Sequence, residues 1–172
     1  MNEIIRAMHA RRSCRKYRAE QISEEHLSAI LEAGRWAASG MGAQAAVMVA
    51  VQDVETRAQL QQMNAAILGG GGDPFYGAPT VVVVLADPER STCVEDGSLV
   101  IGNLMLAASS LGVGSCWIHR ARQEFDSPEG KALLRKWGVP ERYIGVGHCI
   151  LGYPDGPLPA PKPRREDGVR RI

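Results

Sequence analysis

PTVVVVLAD, residues 79–87, is the clearest strand in the chain: a proline, then a run rich in β-branched valine, then an aspartate. Working outward, AAVMVAV at 45–51 is a second, buried strand candidate, and further candidates fall around 113–118 and at 143–151. Helical segments alternate with them. Asn2 suits the cap of a short helix with Ile4, Ile5 and Met8 on one face. Ser23 followed by Glu24 and Glu25 reads as a second helix start, with apolar positions at Leu27, Ile30 and Leu31. Residues 54–66 look helical and end before the glycine run Gly69–Gly72. Residues 94–111 predict a long helix that is apolar on most sides, and such a helix must be buried in the core or against another subunit. Ser127-Pro128-Glu129 supplies a cap, a first-turn proline and an acid in succession, which marks another helix start. The order predicts a sheet between helices, α/β or α+β.

The chain of 172 residues is one domain's worth, long enough for a real core. A formal net charge of +1 argues against nucleic acid or a membrane surface as partner. The sequence has no run of 18 apolar residues that would read as a membrane span. The first residues lack the apolar stretch of a signal peptide, so the expected location is the cytoplasm. Four cysteines, Cys14, Cys93, Cys116 and Cys149, are widely scattered and are expected to be reduced. There are no internal repeats. From Tyr153 onward the chain is rich in proline and charge and too polar to pack alone.

Several short motifs suggest chemistry and are weighed by what they lack. Gly69–Gly72 could cradle a phosphate, but no Lys-Ser/Thr and no helix start follow, so a turn or lid is the better reading. Gly112-Val113-Gly114 and Gly145-Val146-Gly147 each begin a dinucleotide fingerprint and fail at its third glycine, where Trp117 and Ile150 stand. Cys116 and His119, with His148 and Cys149, are possible metal ligands, although paired zinc spacing is usually tighter. Cys14 sits among arginines, where a reactive thiol is conceivable, yet a small residue in a basic strand is the simpler reading.

The densest signal is HARRSCRKYRAEQ, residues 9–21. In an extended segment Arg11, Ser13 and Arg15 point to one side, while a turn could bring in Arg12. Guanidinium groups hold a phosphate through paired, permanently charged hydrogen bonds, and Ser13 adds a neutral donor. Lys162 and Arg164 repeat the alternation near the other end. The two pairs fit one phosphate monoester gripped from two sides; on spacing alone two solvated basic loops fit equally well.

The motif Arg11-Arg12-Ser13-x-Arg15-x-Tyr17 resembles the N-terminal signature of the FMN-dependent nitroreductase family. The likeness extends along nearly the whole chain. Ala38-Ser39-Gly40-Met41-Gly42-Ala43-Gln44 is similar to that family's Pro-Ser-x-x-Asn-x-Gln segment. Tyr76-Gly77-Ala78-Pro79 precedes the valine strand. Asn103 to Ala108 leads into Leu111 to Ile118 as the family's central helix and following strand do. Leu151-Gly152-Tyr153-Pro154 and Lys162-Pro163-Arg164 complete the series.

The resemblance implies a single FMN-binding domain over 1–172, built on a mixed sheet flanked by helices. It further implies an intertwined homodimer, with the long apolar helix at the subunit interface and residues 153–172 wrapping the partner. FMN would be shared between subunits. Arg11, Arg12, Ser13 and Arg15 would hold its phosphate, with Lys162 and Arg164 closing over it. Ala38, Ser39, Gly40 and Gln44 would border the flavin from the other subunit. Trp117, Ile118 and His119 would line the ring, with a backbone N–H near His119 facing the reactive nitrogen, and Trp117 and His119 would shape the substrate pocket. Asn64 would meet the pyrimidine edge. The implied activity is ping-pong transfer of electrons from NADH or NADPH to nitroaromatics, quinones or similar electrophiles, with no side-chain acid or base demanded and no metal. The chain departs from the family pattern at Ala38, Gly42 and Ala45-Ala46, which replace a proline, an asparagine and a Pro-aromatic pair. Those changes motivate a second reading, an FMN-binding sensor without turnover. A small Cys/His metal-binding protein is the third.

Overall fold

The computed structural model describes residues 1–172. Its centre is a four-stranded sheet in the order β1-β2-β4-β3, built from β1 (Ala46–Val51), β2 (Thr80–Ala86), β3 (Gly114–Ile118) and β4 (Ile144–Gly152). Every neighbouring pair is antiparallel. The parallel component of the expected mixed sheet is one isolated bridge, Ser13 to Ser115.

The valine strand explains the layering. β2 pairs with β1 on one side and β4 on the other, and all its residues are buried. Its side chains alternate faces: Val82, Val84 and Ala86 enter one core, Val81, Val83 and Leu85 the other. Burying each large aliphatic side chain is worth about 1.5–3 kcal/mol, so an apolar run of this kind requires cover on both faces. The first face is covered by α2 (Glu24–Arg35) and α4 (Cys93–Ser110), through Leu27, Ile30, Ile101 and Leu104. The second is covered by α3 (Val54–Leu68), α5 (Ala121–Asp126) and α6 (Pro128–Lys136), through Leu60, Phe125, Leu133 and Leu134.

Local capping chemistry sets the helix starts. Asn2 accepts from the Ile5 N–H at the head of α1 (Glu3–Ala10), Ser23 accepts from His26, and Ser127 accepts from Gly130. α1 buries none of its residues, and Ile4 and Met8 face outward with Trp36. α4 is divided: Val100, Ile101, Leu104 and Ala108 are buried, whereas Leu99 is 50% exposed. No helix is long and apolar enough to cross a membrane.

The incomplete glycine fingerprints are packing devices. A Cβ on Gly145 would lie 2.1 Å from the Ala121 carbonyl oxygen, so the glycine lets the start of α5 approach β4. A Cβ on Gly147 would lie 2.6 Å from the Trp117 indole nitrogen. Gly69–Gly72 form an exposed turn in which all four residues have positive φ, between 86° and 99°. That conformation is open to glycine and strained for other residues; it accounts for the run without a ligand.

Candidate functional site

The basic segment leaves α1 in extended form and is zipped onto the sheet from both directions. Ser13 bridges Ser115 at the start of β3, and the Cys14 N–H donates to the Ser115 carbonyl at 2.9 Å. Tyr17 bridges Pro154 beyond β4, and the Arg18 N–H donates to the Tyr153 carbonyl at 2.9 Å. Cys14 is the inward-facing residue; it is buried, and a Cβ on Gly114 would come within 2.9 Å of its sulfur. The Tyr17 hydroxyl donates to the Cys14 carbonyl at 2.7 Å, and burial pushes this phenol well above its ordinary pKa, so it stays protonated. Cys14 and Tyr17 thus fix the backbone that carries the arginines.

The five basic side chains of this segment divide by partner. Lys16 pairs with Asp155 at 2.8 Å and Arg18 with Glu20 at 3.4 Å, both in the open. Arg11, Arg12 and Arg15 pair with no carboxylate. Arg12 donates to the carbonyls of His9 and Arg11, and Arg15 lies over the Tyr76 ring with its guanidinium carbon 6.0 Å from the centroid. The Arg11 Nη1 is buried and bonded to nothing.

The two basic ends converge. Arg12 lines a cavity of about 430 Å³ with His9, Lys162 and Arg164. Ser13 and Arg15 line another, of about 340 Å³, whose other wall is the tail from Asp155 to Pro159. A buried donor without an acceptor is costly, and an anion is what would satisfy it. The donor set, four guanidiniums without a carboxylate partner (Arg11, Arg12, Arg15 and Arg164) with Lys162 and the Ser13 hydroxyl, fits a phosphate.

Thiol and metal chemistry find no support in this arrangement. All four cysteines are buried. Burial pushes the Cys116 thiol up, with Arg15 and Ser13 pulling against it, and burial pushes Cys149 up as well. Cys116 and Cys149 belong to opposite cores, and the His148 Nε2 is taken by Glu124 at 2.9 Å. The four proposed ligands therefore do not converge.

β3 leads from the basic segment to the other predicted cluster. Trp117 is half-buried, Ile118 is buried and His119 is exposed at the strand's end. Arg120 follows with φ of 80°, a left-handed conformation, and α5 starts directly after it. Asn64 of α3, which the resemblance puts at the pyrimidine edge, is fully buried beneath this strand end. Its amide nitrogen donates to the His119 carbonyl at 2.9 Å and to the Glu124 carboxylate, and its amide oxygen accepts from Arg120 Nε at 3.0 Å.

Ala38, Ser39 and Gln44 line a separate cavity of about 160 Å³ and share none of the cavities lined by the basic residues. Their loop holds two strained residues, Met41 and Gln44, with φ of 53° and 50°. It is anchored by Asp96 of α4, only 3% exposed, which accepts from the Gly40 N–H at 2.9 Å and from Thr92 Oγ1 at 3.3 Å. Sequence reasoning missed Asp96, because it stands beside Glu95 in the first turn of α4, where acids are ordinary; only its burial sets it apart. Asp96→Ala strands the Gly40 N–H and is expected to cost about 1–3 kcal/mol. Thermal unfolding and proteolysis within 38–44 would show it; an unchanged Tm would refute the anchor.

A profile of the nitroreductase family matches residues 8–153. The chain belongs to the nitroreductase family. A relative in Archaeoglobus fulgidus, provisionally named an NADH dehydrogenase/NAD(P)H nitroreductase, is 35% identical over 159 residues, spanning 90% of this chain and 87% of the relative. A Bacillus subtilis FMN reductase [NAD(P)H] is 26% identical over 95% of this chain and 70% of its own length. The crystal structure of a Bacteroides fragilis nitroreductase with bound FMN superposes with a TM-score of 0.92 at 33% identity and covers both chains completely. The nitroreductase fold thus accounts for the sheet order and the helical layers.

Proposed function

We propose that this nitroreductase-family protein binds FMN and passes electrons from NADH or NADPH to small conjugated electrophiles such as nitroaromatics or quinones. The observation that carries this reading is the buried, unpaired Nη1 of Arg11, in the segment whose next residues Arg12, Ser13 and Arg15 line two cavities that the C-terminal tail closes with Lys162 and Arg164. The FMN bound by the Bacteroides fragilis structure and the name of the Bacillus relative support the same cofactor. FMN supplies the electron chemistry; the protein supplies binding, orientation and field.

On this reading the basic residues hold the phosphate, and β3 directs the ring toward Trp117, Ile118 and His119. Donor and acceptor occupy the same pocket in turn, which is why no second nucleotide motif is needed. The chain works as a homodimer. Ile4, Ala7, Trp36 and Leu106 line an open apolar cavity of about 490 Å³ that a second copy covers. The partner's loop then brings Ala38, Ser39, Gly40 and Gln44 to the flavin, and residues 153–172 wrap across the dimer. The loop's absence from the cavities of its own basic residues favours that exchange.

The test is the visible spectrum of the purified protein, identification of the heat-released chromophore, and anaerobic addition of NADH or NADPH. A flavin band, released FMN and bleaching by a nicotinamide are expected. A colourless protein that takes up no added FMN overturns the reading. Bound FMN that neither nicotinamide reduces overturns its catalytic half.

A further inference from the structure

At the far end of β3 from the basic segment, one cation is held in an unusual way. Arg120 adopts φ of 80°, which residues with a Cβ rarely take and which tends to mark functional sites. Its Nε is pinned by Asn64 Oδ1, a fully buried acceptor, and its remaining guanidinium N–H groups have no partner. No carboxylate neutralises it. Glu124, in the helix that Arg120 opens, is turned inward and bonds Asn64 and His148. Asn64 in turn has both ends of its amide engaged, by Arg120 on one side and by the His119 carbonyl and Glu124 on the other. An amide so engaged is a support, and the group it supports is half-exposed beside the exposed His119.

We propose that Arg120 is the polar group this chain presents to the ring of bound FMN, and that Asn64 acts through it as a positioning residue. The inference rests on the FMN reading. From Ser115, where Ser13 docks, to Arg120 is five steps along the backbone, roughly 16 Å at ~3.3 Å per residue. A cofactor gripped by its phosphate at one end of β3 therefore presents its ring at the other. Two-electron reduction places negative charge on that ring. A guanidinium fixed beforehand, with one side against a buried amide, favours the reduced form without reorganising. Glu124, itself bonded by His148, holds Asn64 and completes the support.

The test is the midpoint potential of bound FMN, read by dye-coupled redox titration. Arg120→Gly removes the guanidinium and suits the left-handed backbone better than arginine, so the variant retains its fold. We expect reduced FMN to lose about tenfold of its preferential binding, a fall of about 30 mV for a two-electron couple. Asn64→Leu should lower the potential when Arg120 is present and change nothing further in the Arg120→Gly background. Asn64→Ser gives the same comparison with a smaller side chain. An unchanged potential in Arg120→Gly overturns the assignment of Arg120. Additive falls in the double variant show Asn64 acting independently and overturn its positioning role. A parent protein that takes up no FMN overturns both this inference and the function on which it rests.

Discussion

Replacing Arg11 with Ala should weaken FMN binding roughly ten- to a hundredfold while leaving the unliganded fold intact. The loss follows from the character of the bond. A hydrogen bond between two charged groups contributes about 1.5–3 kcal/mol, and each 1.4 kcal/mol is a factor of about ten in Kd. The intact fold follows from what the side chain lacks: it makes no ion pair, and its Nη1 is buried without an acceptor. Truncation therefore removes an unsatisfied donor and breaks no bond that its guanidinium makes to protein. Fluorescence titration of apoprotein with FMN measures the first effect and thermal unfolding of apoprotein the second. Arg18→Ala is the control, since Arg18 pairs with Glu20 in the open; its Kd should match the parent's. Equal Kd values for the Arg11 variant and the parent would show that Arg11 grips no phosphate.

Gly145→Ala should be among the most destabilising single-methyl changes in the chain. The new Cβ would meet backbone at 2.1 Å from the Ala121 oxygen and 2.3 Å from its carbonyl carbon, so no rotamer change relieves it. Either β4 or the start of α5 must move. Overpacking of this kind costs about 1–3 kcal/mol and occasionally more, and at this size each kcal/mol lowers Tm by about 2–4 °C. A fall of roughly 5–10 °C is the expected result. The displaced helix begins directly after Arg120 and carries Glu124, so the buried network around Asn64 shifts with it. A Tm within a degree of the parent's would mean that α5 gives way freely.

The features legible in the sequence are those with local causes. Valine runs, cap residues and proline at a first helical position act within a few residues, and β2, α2 and α6 fall where those signals put them. α5 gave no such signal: it has no side-chain cap, and the residue that opens it is held in place by Asn64, far away in sequence. The same division runs through the site. The density of arginine in 11–18 was visible, but which cations stay unpaired depends on where Asp155 and Glu20 come to lie. Asn64 came from the resemblance as a pyrimidine-edge contact, and its burial and its bonds to Arg120, His119 and Glu124 are tertiary and were not legible. Gly145 and Gly147 read as a broken fingerprint because the close approach of Ala121 and Trp117 is tertiary.

Strand order also dictates when the basic segment can find its place during synthesis. β2 cannot complete its pairing until Ile144–Leu151 have emerged, since Ala86 pairs with Ile144 and Thr80 with Leu151. β3 joins the sheet only through β4, and Ser13 docks only on β3. Contacts so distant along the chain form slowly, after the local helices. Arg11 leaves the ribosome long before β3 and β4 and is set only after both have paired. A nascent chain arrested before residue 144 carries its arginine cluster with no strand to lie against, so competence to hold an anion coincides with completion of the last strand.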